Sequence, residues 1–358
     1  MEHLIPVADA HCDFLYYMLY DHFKLKTTAP RQAVSLPYLH QGGASIQFFA
    51  AWIDPDMRAS GLQQCMWLID AYYRMLEECK DAGLIPFSRE FTPESGKTAT
   101  VLTIEGGEAL MGREENLRLF YRLGVRAMTL TWNATNELAH PAMSRVNRGL
   151  TKLGREIVYE MDRIGMAVDL AHLSDAGIDD VLSSVKHPVF SSHTNARAVC
   201  PHKRSLSDEH IRAIAESGGV VCVNYYPPQL CRKGEASIAD IVRHILHIAE
   251  VGGLEHVALG SDFDGMSEYP RDLKNWGDVP RLLDALLHEA FRRRRCGASH
   301  MTIYAIISCS FIEKETALMQ ERKSSCFSAV LGAALNTRNL RKLGSDNEPL
   351  AEKGSSGT

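Results

Sequence analysis

Val7-Ala8-Asp9-Ala10-His11-Cys12-Asp13 begins as a short apolar run and ends in a histidine and an acid two residues apart. In an extended strand, positions i and i+2 share a face. These two side chains can therefore grip one cation, His11 through a ring nitrogen and Asp13 through oxygen. Four more apolar, β-branched runs end in the same way: Thr103-Ile104-Glu105-Gly106-Gly107, Val168-Asp169-Leu170-Ala171-His172, Phe190-Ser191-Ser192-His193 and Leu259-Gly260-Ser261-Asp262-Phe263-Asp264-Gly265. The C-terminal ends of strands are where a parallel β/α barrel builds its active site. Five such endings in order predict a metal site.

Working outward, short apolar runs predict eight strands, near 7–11, 46–53, 99–106, 126–132, 167–172, 188–193, 219–226 and 256–262. Helical patterns alternate with them, near 61–82, 114–123, 147–164, 175–184, 207–216, 237–251 and 279–294. Ser207-Asp208-Glu209-His210 and Ser237-Ile238-Ala239-Asp240 read as helix starts, a capping hydroxyl ahead of acids. Alternating strand and helix predicts parallel βαβ units. An open doubly wound sheet would gather ligands at one switch point. Endings spread over strands one, three, five, six and eight instead favour a closed (β/α)8 barrel, because only closure brings the first and last strands together.

The composition excludes several functions. A formal net charge of −5 gives no electrostatic case for nucleic acid. The four arginines at 292–295 read as a solvated helix end. No apolar run approaches the ~18 residues of a membrane span, and the N-terminus lacks the pattern of a secretory leader. Nine cysteines, an odd number without a CxxC pair, predict free thiols and a reducing, cytoplasmic setting.

Residue by residue, Glu105 stands at the end of the third strand and could bridge two cations, one oxygen to each. His172 and His193 end consecutive strands and would ligate the second metal. Asp169 falls on the opposite face from His172, and His187 lies at the start of its strand, so both are set aside. His140, His202 and His210 stay unassigned. Asp262 can take a proton from the attacking water and return it to the leaving amine. Arg204 carries a planar fork suited to a substrate carboxylate. Two metals ~3.5–4 Å apart can hold a hydroxide at neutral pH and polarise a carbonyl, which suits amide hydrolysis.

Read together, Asp9-Ala-His11-Cys-Asp13, Gly42-Gly43 with Gln47, Ile104-Glu105-Gly-Gly, Leu130-Thr-Trp132-Asn133, Val168-Asp-Leu-Ala-His172, Ser192-His193-Thr-Asn-Ala, Arg204 and Gly260-Ser-Asp262-Phe-Asp-Gly265 make the chain resemble the renal (membrane) dipeptidase family of zinc peptidases, related to the amidohydrolase barrels. The resemblance runs from about residue 7 to about 290. It implies two zinc ions: His11 and Asp13 on one, His172 and His193 on the other, with Glu105 as the bridge. It further implies Asp262 as catalytic acid/base, and Arg204, Trp132 and Asn133 on the substrate. A homodimer acting on dipeptides, including those with a C-terminal D-residue, is implied as well. Trp132 stands where animal members carry histidine, as in many bacterial-type members.

The end of the chain departs from the family. The closing Gly-Gly-Asn-x-x-Arg-like segment is not found after Cys296, which reads as divergence or as an altered reading frame. The expected organisation is a barrel over 1–295, a divergent segment over 296–343, helical or poorly ordered, and a disordered tail over 344–358. Two other functions suit the same residues: another metal-dependent amidohydrolase, acting on an N-acyl amino acid, cyclic amide or lactone, or a metal-binding barrel without activity.

Overall fold

In the computed structural model, which describes residues 5–88 and 91–295, nine strands form one sheet in which every pairing is parallel. They are β1 (Val7–Asp9), β2 (Ala44–Trp52), β3 (Leu84–Pro86), β4 (Thr98–Glu105), β5 (Val125–Thr129), β6 (Ala167–Asp169), β7 (Phe190–Ser191), β8 (Val220–Val223) and β9 (Val257–Leu259). The ring closes because β2 pairs with β4, from Ile46↔Ala99 to Trp52↔Glu105, while β1 sits between β2 and β9. The eight expected strands are all present. The ninth, β3, lies outside the ring and pairs with the start of β4. At three residues ending in proline it is too short to show an alternating pattern. The expected segments at 296–343 and 344–358 lie outside the described residues.

Two apolar layers follow from strand alternation. Ile46, Phe48, Ala99, Val101, Ala127, Phe190, Val220 and Ala258 fill the barrel interior. The opposite faces pack against the surrounding helices, Phe49 and Leu102 among them. The helix starts obey local chemistry: the Ser207 hydroxyl accepts the amide of His210, and Ser237 with Asp240 forms a reciprocal capping box. One helix begins later than expected, at Lys152 rather than near 147. Asn147 and Leu150 are engaged elsewhere, Asn147 accepting the Ala176 amide and Leu150 bridging to Ala139, and Thr151 caps the helix instead. No helix among the described residues is long and apolar enough to cross a membrane.

Candidate metal centre

Glu105 ends the row Ala99, Val101, Thr103 along the inward face of β4, so the strand's own period points its carboxylate at the barrel mouth. The chain must then turn at once. Gly106 does so at φ 113°, where a side chain would be strained, and its amide donates to the Thr129 hydroxyl at 3.0 Å. The two carboxylate oxygens of Glu105 serve different groups. Oε2 lies 3.4 Å from His11 Nε2, while Oε1 lies 2.9 Å from His172 Nε2 and 3.5 Å from His193 Nε2.

The second group is oriented from behind. His172 Nδ1 meets Asn133 Oδ1 at 3.0 Å, and His193 Nδ1 meets the Ser192 hydroxyl at 2.7 Å. With a proton on each Nδ1, the two Nε2 lone pairs face each other at 2.9 Å. In the first group His11 Nε2 stands 3.4 Å from Asp13 Oδ2 and 3.9 Å from Asp262 Oδ1. Gly265 permits this crowding, since a Cβ there would lie 2.2 Å from Asp262 Oδ1 and 2.3 Å from Asp13 Oδ2.

Burial sets the electrostatics. Buried among carboxylates, Asp262 is pushed up to about 7. Burial alone would raise Glu105 too, but His11 and His172 hold it well below the usual carboxylate range. Burial would lower His11; Glu105 and Asp13 outweigh it and raise its pKa well above the ordinary value. Burial drives His172 down to about 4 and His193 well below its usual value, so both are neutral, as metal ligands must be. Three overlapping groups place donor atoms within 4.8 Å of one another: His11 with Asp13 and Glu105, Glu105 with His172 and His193, and His11 with His193 and Asp262. Buried His11 Nε2 and Asp13 Oδ1 have no hydrogen-bond partner. Orphaned donors aimed at one another around a shared carboxylate fit metal ions.

The sequence profile of the membrane dipeptidase family, peptidase family M19, matches residues 1–296. The chain belongs to the membrane dipeptidase family. It is a membrane dipeptidase-type metallopeptidase. It is 32% identical over 312 residues to the dipeptidase aclJ of Aspergillus oryzae, spanning 79% of this chain and 72% of that protein. The structure of dipeptidase AC, an M19 metallopeptidase, superposes with TM-score 0.73 at 27% identity, covering 86% of this chain and 99% of its own. A metallopeptidase from Rhodobacter sphaeroides, solved with a phosphinate mimic of the dipeptide L-Ala-D-Ala, superposes with TM-score 0.75 at 26% identity, covering 89% and 99%. The curated relative is fungal, so it gives no support to a bacterial-type assignment from Trp132.

In this membrane dipeptidase-family barrel the metal groups open into a cavity of about 340 Å³. Arg204, Trp132 and Asn133 line it, together with Tyr16, Tyr17 and Trp52. Arg204 is only 6% exposed, and its Nη2 has no partner. Burial lowers its pKa to about 10, which leaves it charged at neutral pH. Trp132 packs edge-on against Trp52, ring centroids 5.1 Å apart, and that pair walls one side.

All five expected ligands meet here, and Asp262 and Arg204 flank them. One positional argument needs correction. The pairing of β1 with its neighbour slips by one residue between Asp9↔Leu259 and Cys12↔Phe263, and Asp13 lies beyond the strand. His11 lies beyond it as well, so strand alternation does not reach either residue, yet the two come together as expected, 3.4 Å apart and in one donor group. Asp264, two residues on from Asp262, turns away from the donor groups and accepts the amides of Ala33 and Val34; both aspartates take φ 62°. Asp169 is not among the three donor groups and accepts the amides of Ala171 and Ser192. Sequence reasoning missed Asn224, whose amide donates to Asp262 Oδ2 at 3.1 Å, and Ser192 behind His193. Asn224 directly follows β8, so the strand-end rule would have found it.

Proposed function

We propose that this protein is a two-zinc dipeptidase that hydrolyses the single peptide bond of dipeptides bearing a free C-terminal carboxylate, and that it works as a homodimer. The observation that carries this reading is the division of Glu105, one oxygen toward His11 and the other toward His172 and His193. His11 and Asp13 would hold one zinc, His172 and His193 the other. When bound, zinc lowers the pKa of water and polarises a carbonyl.

The chain's own residues supply the rest. Arg204 presents an unpartnered guanidinium in the same cavity, the donor a substrate carboxylate needs. Asp262 is held by Asn224 through Oδ2, which leaves Oδ1 beside the ligands to accept a proton and pass it to the departing amine. Trp132 and Trp52 exclude water from one side, and the limited volume favours a dipeptide over a longer chain. Acceptance of a C-terminal D-residue is supported by the ligand in the Rhodobacter sphaeroides relative.

A panel of L-L and L-D dipeptides, assayed with zinc content measured on the same folded sample, tests the proposal. Cleavage with about two zinc ions per chain is expected. Two bound metals with no dipeptide turned over would overturn it.

A further inference from the structure

A second cavity of about 520 Å³ lies beside the first, lined by Arg145, Asn147, Arg197 and Lys203. His202 lines both cavities. The neighbouring loop divides them as well: Met143 faces the first, while Ala142 and Ser144 face the second. The second cavity is the more basic. Arg197 spends its charge on Asp175 through contacts of 2.7 and 2.8 Å. Arg145 and Lys203 have no ion-pair partner among the described residues. His202 is oriented too, because its Nδ1 accepts the backbone amide of Arg204 at 3.1 Å, and that leaves Nε2 as the N–H donor of the neutral ring.

We infer that the second cavity is the subsite for the side chain of the substrate's C-terminal residue, and that it selects an acidic one. The inference rests on Arg204 holding the α-carboxylate. His202 lies two residues from Arg204 in the same loop, so a residue anchored by Arg204 carries its side chain to the junction of the two cavities. There a carboxylate meets the His202 N–H and then two unpaired cations, whereas the matching amide meets the same donors without the charge. The cations are exposed, so the discrimination is moderate and sensitive to salt.

Ala-Glu and Ala-Gln are nearly the same shape, so the ratio of their kcat/KM values isolates charge. In the zinc-loaded wild type the ratio should favour Ala-Glu by about tenfold, the size of one good charge-assisted contact. It should shrink in high salt and fall close to one in the Arg145→Ala/Lys203→Ala double variant. A wild-type ratio at or below one overturns the inference, as does a ratio the double variant leaves in place. Arg204→Ala separates the two layers of argument: it should slow both dipeptides alike; if it slows neither, the carboxylate reading has failed and the subsite placed from it falls too, whereas slowing of both with a wild-type ratio at or below one rejects the subsite alone. Calorimetric dissociation constants for the phosphinate analogues of both dipeptides give the same ratio without turnover. Equal affinities there reject the subsite even if neither dipeptide is cleaved.

Discussion

Asp9 and Ser261, 252 residues apart in the chain, are joined twice across the barrel seam: Asp9 accepts the Ser261 amide at 2.6 Å and its hydroxyl at 2.8 Å. Gln47 donates to the same carboxylate at 2.9 Å, and Gln47 in turn accepts the indole N–H of Trp276 at 2.6 Å. All four residues are buried. The seam sits between His11 and Asp262, so its geometry reaches both. Asp9→Ala should strand the Ser261 and Gln47 donors and cost about 2–4 kcal/mol of stability. The urea midpoint would move down and zinc affinity would fall with it. An unchanged midpoint would remove this network from the account.

Glu105→Gln and Asp262→Asn should separate bridge from base. A neutral amide spans two cations poorly, so the first should lower zinc occupancy, read by elemental analysis. The second should keep its metal while turnover drops by about 10²–10⁴-fold, the usual contribution of a general acid–base group. Asp262 also shares a donor group with His11 and His193, so it stands within ligand reach. If Asp262→Asn emptied the site while Glu105→Gln stayed full, the two roles would have to be exchanged.

Arg204→Ala should raise KM by about 10²-fold or more and leave kcat less affected, because the lost contact holds the unreacting end of the substrate. Arg204→Lys should recover only part, since an ammonium cannot reproduce the planar fork. A pure kcat loss at constant KM would place Arg204 on the reacting atoms instead.

His244 is fully buried, with Nδ1 accepting the Ala196 amide and Nε2 donating to the Leu230 carbonyl, both at 3.1 Å. That arrangement suits only the neutral ring, and burial lowers the pKa to about 4. The unfolded chain takes up its proton near 6.5, the folded one only near 4, so stability is lost as pH falls between those values. The expected loss is about 2–3 kcal/mol from this one ring. Urea unfolding at pH 7 and pH 4.5 would show it. His244→Phe should be less stable at pH 7 yet have a flatter pH dependence, and an equal slope in both proteins would refute the assignment.

The barrel was readable from the sequence because eight apolar runs and their polar endings repeat the same physical demand: bury a strand on both faces, then stop at the mouth. Glu105 is the clearest case, since its position follows from strand alternation alone. His172, Asp262 and Asp264 are different. Each takes a positive φ that few residues without a glycine's freedom adopt, so the strand-end rule located His172 and Asp262 while alternation could not set the aim of any of the three. Tertiary contacts hold them there, such as the clasp of Asp264 on Ala33 and Val34. The short helices Phe14–Tyr20 and Leu36–Gly42 were also missed, because seven residues carry too few turns for a helical period to register. The first of them brings Tyr16 and Tyr17 to the cavity wall.

The seam between β1 and β9 holds few registered pairs, Asp9↔Leu259 and beyond it Cys12↔Phe263, and the candidate metal ligands straddle it. Its first and last contributors lie some 250 residues apart in the chain, and contacts of such long separation slow folding. A cation bound between them would favour the folded form by mass action, so removing metal should lower stability as well as activity.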